Sequence, residues 1–488
     1  MAGAAFFKQT TVLPGQDFAR GTLKGTGDFK IGKSVKIGIS NMSNFNVTHG
    51  SQFGINVFPL LTLSPLASPY NADGSINIKP AGNVDDKDGT YNPLLLLNND
   101  NDWVDRVRRF NSFNTAFGEV DIWNGLKYRL NVGLNYSQEE GAQFRGIDTY
   151  FRPGLSTNLA SVRNSVTTSY VLENLLTFDK VIASKHRISA TALYSFQDDR
   201  SHSTSVSKEG ITADFVQFYD LGKSSTDPAA NLGGGEATTN VLSYMLRANY
   251  IYNDKYMITL TGRRDGSSRL AVGNKWKSYP AVSTGWNISN ESFLKKFKSI
   301  SNLKLRAGWG ITSNQSVDAY SSRGGVDNRN SGLGNPVPLI RYNFGAKSES
   351  GYSVVKIVDP NLDWEYTSTR NIGLDFGLLN NRITGAIEWY KTKTTKLLYS
   401  VPLPPTSGVN DPYLTNIGNI ANRGMEFSIS SDNVKSDRGL NWSTDLNFYF
   451  NRNKLVKLNG VINQVVNNQL FIGESLTTIW DYRKLGIW

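Results

Sequence analysis

The chain has 488 residues, 39% of them hydrophobic, and no cysteine, which excludes thiolate metal sites, thiol catalysis and a disulfide framework. Its 52 Lys and Arg against 41 Asp and Glu leave +11, scattered over turns, loops and strand faces rather than gathered in the stripe of a nucleic-acid reader. Such charge suits anionic lipid headgroups or a basic lumen, and no apolar run reaches the ~20 residues of a transmembrane helix.

From the amino terminus, residues 1–8 carry neither a basic n-region nor an apolar h-region, so the chain is expected to begin inside a longer protein. Strands are expected over 17–30 and 35–47, around a turn at 31–34. Residues 48–102 make a long excursion of the kind that is uncommon unless functional. Within it, Asp85-Asp86-Lys87-Asp88-Gly89 reads as a solvated turn, because a calcium loop needs a downstream bidentate Glu. Further strand pairs are expected at 104–122 with 127–137 and at 166–181 with 186–198. The long loops 138–165 and 199–239 follow these pairs. The second holds Gly233-Gly234-Gly235, read as a flexible loop without a phosphate-binding Lys.

The stretch 240–312 states the architecture. Tyr244, Leu246, Ala248, Tyr250 and Tyr252 alternate with Met245, Arg247, Asn249 and Ile251, and the pattern resumes after Asn253-Asp254-Lys255. Leu303, Leu305, Ala307, Trp309 and Ile311 likewise alternate with Lys304, Arg306, Gly308, Gly310 and Thr312. Period-two alternation is a strand with one apolar and one polar face. A soluble antiparallel sheet shares that pattern. Three features favour a membrane. The segments are nearer the ~9–11 residues of a tilted spanning strand than the ~5–6 of globular strands. Tyrosines crowd the short turn, where headgroups would lie. Connections alternate short and long, as in outer-membrane barrels.

Residues 315–360 are a Gly-, Asn- and Ser-rich excursion. A hairpin then runs 364–378 and 383–398 around 379–382, followed by Pro402, Pro404 and Pro405 in a loop. Strands at 424–431 and 440–450 and a last one near Ser475 bring the count to about 14–15. The alternation assigns Leu305, Trp309, Leu374 and Phe376 to lipid, and Lys304, Arg306, Asn371 and Asp375 to the lumen.

No catalytic constellation emerges, and no cofactor is implied. His49, His186 and His202 have no metal-pair spacing. Arg263, Arg264, Asp265 and Arg269 cluster at a strand end. They read either as contacts for a polar substrate or as a salt-bridged strand end that orders the loop, the second being the more ordinary arrangement. Tyr320, Tyr342, Tyr352 and Trp103 are aromatic candidates for stacking on sugar rings, against plain loop or interface packing. Arg247 and Arg306 would tune passage through a lumen.

Several stretches resemble the SusC/RagA-type TonB-dependent transporters: 256–286 (YMITLTGRRDGSSRLAVGNKWKSYPAVSTGW), 302–315 (NLKLRAGWGITSNQ), 360–398 (PNLDWEYTSTRNIGLDFGLLNNRITGAIEWYKTKTTKLL), 416–427 (NIGNIANRGMEF) and 480–488 (WDYRKLGIW). Their order is more specific than any one of them. The resemblance implies an all-β transmembrane antiparallel barrel of about 22 strands in the outer membrane, closed by an N-terminal plug. It implies import of oligosaccharide or peptide from a SusD-like surface lipoprotein, driven by the TonB complex through a TonB box. The chain is expected to depart from that pattern, as an internal piece of the barrel without the plug, the TonB box or the terminal strands. Residues 1–488 are therefore expected to be an incomplete barrel, not an enzyme. The rival readings are a passive outer-membrane porin and a surface β-rich adhesin or binding protein.

Overall fold

The computed structural model describes residues 1–13, 15–50, 66–80, 91–97, 103–147, 149–150, 152, 155–224, 231–327, 341–409, 411–437, 439–458, 464–465 and 469–486. The acidic turn at 85–89 lies outside them, as do parts of the excursions at 48–102 and 315–360. The first strands are β1 (Ala2–Thr10), β2 (Asp17–Ile31), β3 (Val35–His49), β4 (Trp103–Trp123), β5 (Leu126–Arg145) and β6 (Leu159–Ile182). There follow β7 (His186–Glu209), β8 (Asn231–Tyr252), β9 (Tyr256–Ser267), β10 (Trp276–Asn287) and β11 (Ile300–Asn314). In the next excursion β12 (Gly325–Asp327) pairs with β15 (Ser353–Lys356), and β13 (Arg341–Phe344) with β14 (Lys347–Ser350). Then come β16 (Glu365–Leu378), β17 (Ile383–Thr395), the small pair β18 (Leu398–Val401) and β19 (Tyr413–Asn416), β20 (Asn419–Val434) and β21 (Trp442–Lys457). The pair β22 (Gln464–Val465) and β23 (Leu470–Phe471) closes the set.

Fifteen strands form one sheet in the order β1 to β11, β16, β17, β20, β21. Each expected short turn is present, and its backbone explains it. Asn253 and Asp254 (φ 51° and 54°) and Ala183 and Ser184 (φ 50° and 56°) occupy the left-handed region twice in succession. Two such residues in succession give the twist that a tight hairpin turn needs.

The chain divides into two compact units. The second comprises Val120–Arg129, Glu173–Phe196 and Thr239–Trp488. Its register sorts side chains onto two faces. Leu305 stands opposite Leu374, Leu303 opposite Phe376, and Trp286 opposite Leu305, whereas Lys304 stands opposite Asp375 and Gly308 opposite Asn371. The apolar face is not a buried core: Leu246 is 64% exposed, Ile372 53% and Phe448 58%. A soluble sheet would cover such a wall.

Two ladders of rings bound that face. Near the short turns, His186 lies 5.0 Å from Tyr252, Tyr252 stacks on Tyr256 at 6.4 Å, and Tyr256 on Trp286 at 6.4 Å. Near the long loops, Tyr194 packs on Tyr244 at 5.4 Å and Tyr244 on Trp276 at 6.0 Å. Between Trp276 and Trp286, about ten residues at ~3.3 Å each and a tilt of ~40° span ~25 Å, the height of a barrel's apolar band.

The lower ladder ends on a carboxylate. Glu291 accepts from Lys255 Nζ at 2.7 Å, Tyr256 Oη at 2.7 Å and Trp286 Nε1 at 3.2 Å. Those donors, led by Lys255, hold its pKa at about 2 against an ordinary 4.5. A depressed carboxylate contributes stability that is complete above its unfolded pKa and is lost as pH falls through its folded one. Stability is therefore expected to decline between pH 4.5 and about 2. Glu291→Gln should flatten that limb in unfolding followed by tryptophan fluorescence, and an unchanged limb would refute the assignment.

The first unit comprises Met1–Glu119, Leu130–Leu172 and Gln197–Thr238. Its small apolar core sits at the long-loop ends, where Ala142, Phe144, Ala160, Ile211 and Phe218 pack together. Asn158 pins it, donating to the Ile211 carbonyl at 3.0 Å and accepting from the Ile211 amide at 2.6 Å. Trp103 is not a loop aromatic free to stack on a ligand. It begins β4, is 7% exposed and lies on Gly15, where an added Cβ would come within 2.3 Å of the indole. Gly15 also has φ +70°, so a side chain there would be strained as well as crowded.

Several expectations differ from the structure. Residues 2–10 form β1, although Ala-Gly-Ala-Ala-Phe-Phe shows no alternation; pairing with β2 makes it a strand. The second arms expected at 127–137 and 186–198 continue to Arg145 and Glu209, because runs such as Ser201-His202-Ser203-Thr204 are polar at both parities and carry no period. Gly233–235 lies within β8, not in a flexible loop. No strand begins near Ser475 among the described residues: Ser475 Oγ donates to Asn453 Oδ1 at 2.8 Å in a turn.

Candidate functional site

The polar face of the second unit is a charged wall. Arg306 on β11 reaches across two strands, with Nη2 at 2.6 Å from Glu388 of β17 and Nε at 3.2 Å from Asp375 of β16. Asn371 Nδ2 donates to the other Glu388 oxygen at 3.0 Å. The reach requires a bare neighbour. Gly373 stands opposite both Arg306 and Glu388, and a Cβ on it would lie 2.7 Å from the guanidinium carbon. Gly424 does the same for Tyr390, whose hydroxyl would meet a Cβ at 2.6 Å. Beside Arg306, a concavity of about 590 Å³ is lined by Glu388, Tyr390, Glu426, Asn447, Tyr449 and Asn451. Carboxylates and amides accept and donate to hydroxyls and peptide groups, and tyrosine rings offer flat apolar surface.

At the long-loop end of the same face, Arg263 Nε donates to both Asp265 oxygens at 2.9 Å and Nη2 to Ser243 Oγ at 3.0 Å. The Tyr279 hydroxyl also donates to Asp265. The structure thus joins Arg263 and Asp265 in one hydrogen-bonded set at the strand end. Arg264 belongs to the other face, where its guanidinium lies 5.5 Å from the Trp276 ring centroid. Arg269 turns away to the Val317 carbonyl and Thr239 Oγ1, both at 3.2 Å. Tyr320 carries Arg323 at 5.2 Å from its ring, Tyr342 sits on β13 and Tyr352 precedes β15, all three exposed. Of these candidates, the described contacts join Arg263 with Asp265. Arg247 donates to Thr261 at 3.2 Å on the polar face.

Sequence reasoning missed Asp363. Its carboxylate, 3% exposed, accepts from Lys277 Nζ of β10, Lys396 Nζ beyond β17 (2.6 Å) and the Trp364 amide (2.8 Å). Asn416 closes the ring by donating to the Asp363 carbonyl at 2.8 Å. Burial pushes this carboxyl up, but Lys396, the Trp364 amide and Lys277 outweigh it and hold it below its ordinary value. Beneath lies a core of Leu270, Ala271, Val317, Leu362 and Trp364. Three loop bases are clamped at one residue. The only sequence signal was an acidic residue in a Pro-Asn-Leu-Asp-Trp run just before a strand.

Residues 44–479 match the family model described as TonB dependent receptor-like, beta-barrel. The chain is 29% identical over 496 residues to the TonB-dependent receptor P26 of Formosa agariphila, covering 99% of this chain and 48% of that protein. It is 41% identical over 230 residues to the TonB-dependent receptor SusC of Bacteroides thetaiotaomicron, covering 46% of this chain and 22% of that protein. The RagAB peptide transporter structure superposes with a TM-score of 0.82 at 20% identity, covering 97% of this chain and 51% of that one. The chain thus spans about half the length of the curated relatives it matches.

Proposed function

Because the chain belongs to the TonB dependent receptor-like β-barrel family, an outer-membrane family, we propose that it forms part of the wall of an importer for oligomeric nutrients, glycans or peptides. In this reading the whole protein works with a SusD-like surface lipoprotein and draws on the TonB complex. The observation that carries it is the two-faced sheet: an exposed apolar wall backs a polar one whose Arg306, Glu388 and Tyr390 line a concavity beside Asn447 and Asn451. Residues 1–488 are then one partial barrel, with the rest supplied elsewhere in the full protein. The long loops lie outside the cell, and the turns at 253–255 and 379–382 face the periplasm.

Uptake of a labelled oligosaccharide and a labelled peptide by cells carrying the full-length protein tests this. Glu388→Gln with Arg306→Met should lower uptake at limiting substrate roughly tenfold, about the worth of one charge-assisted hydrogen bond. Uptake that persists when the inner-membrane proton gradient is collapsed would identify a passive pore instead. A tag at Asn380 that is labelled on intact cells would overturn the orientation.

A further inference from the structure

Toward the long-loop ends of β16, β17, β20 and β21, the register sets like charges side by side on the apolar face. Arg370 stands opposite Lys391, Lys391 opposite Arg423, and Arg423 opposite Arg452. One step nearer the loops, Lys393 and Lys454 flank Ala421. All six side chains are exposed, and among the described residues none has an ion-pair partner. The carboxylates of the same strands, among them Asp375, Glu388, Glu426 and Asp445, all fall on the opposite face in the register.

Like charges directly opposite one another destabilise a sheet. Four in adjacent strands, with no carboxylate of those strands on their face, call for an anion from outside. What lies next to them says what kind. Immediately toward the short turns come rows with no charge at all: Ile372, Trp389, Met425 and Phe450, then Leu374, Ile387, Phe427 and Phe448. From Leu378 and Ile383 at the hairpin turn to Arg370 and Lys391, about eight residues rise ~20 Å at a ~40° tilt. The cations therefore stand at the rim of the apolar band, level with the interface.

We propose that this row is a binding site for the phosphate groups of an outer-leaflet glycolipid, with the acyl chains lying on the apolar rows beneath. One amphiphile matches both halves of the surface, which an acidic protein partner would not. Arg370, Arg423 and Arg452 offer planar forks for bidentate contact with phosphate oxygens, and Lys391 adds a point charge between them. The leaflet rests on the orientation proposed above; the phosphate chemistry does not.

The test uses the full-length protein in detergent micelles, titrated with bis-phosphorylated lipid A and, separately, with the same lipid after enzymatic removal of its phosphates. The expected result is at least tenfold preference for the phosphorylated lipid. That preference should weaken with salt and fall roughly five-fold for each charge removed in the series Arg370→Gln, Lys391→Gln, Arg423→Gln, Arg452→Gln. Heat-modifiable mobility on gels should stay unchanged through the series, because every substituted side chain is exposed. Equal affinity for the two lipids, or a neutralised row that binds as well as the wild type, would overturn the proposal. So would a photo-crosslinker at Lys391 that captures a protein in cells and no phosphorylated lipid. Because the titration is done in micelles, a failed orientation leaves its outcome intact, and the two errors can be told apart.

Discussion

In a membrane, Leu374→Arg is expected to destabilise the chain by about 2–4 kcal/mol, while Thr369→Arg changes stability by less than about 0.5 kcal/mol. Leu374 is flanked across the sheet by Leu305 and Ile387, midway between the short turn and the cation row. A guanidinium there must be dehydrated or drag water and headgroups into hydrocarbon. Thr369 is on the other face, opposite Gly310 and Thr392, where a long side chain has room and polar company. Refolding titrations of the full-length protein into vesicles would measure both. Equal losses would mean that the register does not divide lipid from lumen.

Asp363→Ala is expected to cost about 2–3 kcal/mol, below the ~3–5 kcal/mol of a fully buried broken pair, because Lys396 keeps half its surface in water. The damage should be local. Removing the carboxylate releases Lys277, Lys396 and the Trp364 amide at once, so the bases of the loops after β9, β11 and β17 lose their common anchor. Hydrogen exchange should rise there and stay unchanged at Asn253 and Asn380. Asp363→Asn keeps one acceptor and should fall between. The carboxyl is held below its ordinary value, so wild-type protection at these loops should be lost as pH falls through and below the usual carboxylate range. A uniform loss of protection over the sheet would contradict the clamp.

The sheet was legible because its information is local. Alternation along β8, β9, β11 and β16 follows from one face meeting lipid and the other water, and Asn253-Asp254 and Asn380-Asn381 advertise tight turns. Where both faces meet water, the period vanishes, which is why β7 outran its expected end and Gly233–235 looked like loop. β1 carries no pattern of its own and exists through its partner. The candidate site was less legible for a different reason. Asp363 draws on positions 277, 396 and 416, which the sheet brings together only after four strands have paired. The Arg306–Glu388 contact depends on a missing side chain at Gly373, and an alternation reading has no place for that.

The two ring ladders also set a length. A protein whose aromatic rims stand ~20–25 Å apart is matched to a thin hydrocarbon layer, and bacterial outer membranes are thinner than average. In a bilayer of ~30 Å the surplus would have to be taken up by lipid compressed around the rim, at a fraction of a kcal/mol per Å. The rings at Tyr252, Tyr256 and Trp286 are stacked across neighbouring strands, so they cannot yield singly to relieve that strain. Bilayer thickness thereby becomes a sorting criterion written into the fold, one that favours the outer membrane over any thicker membrane.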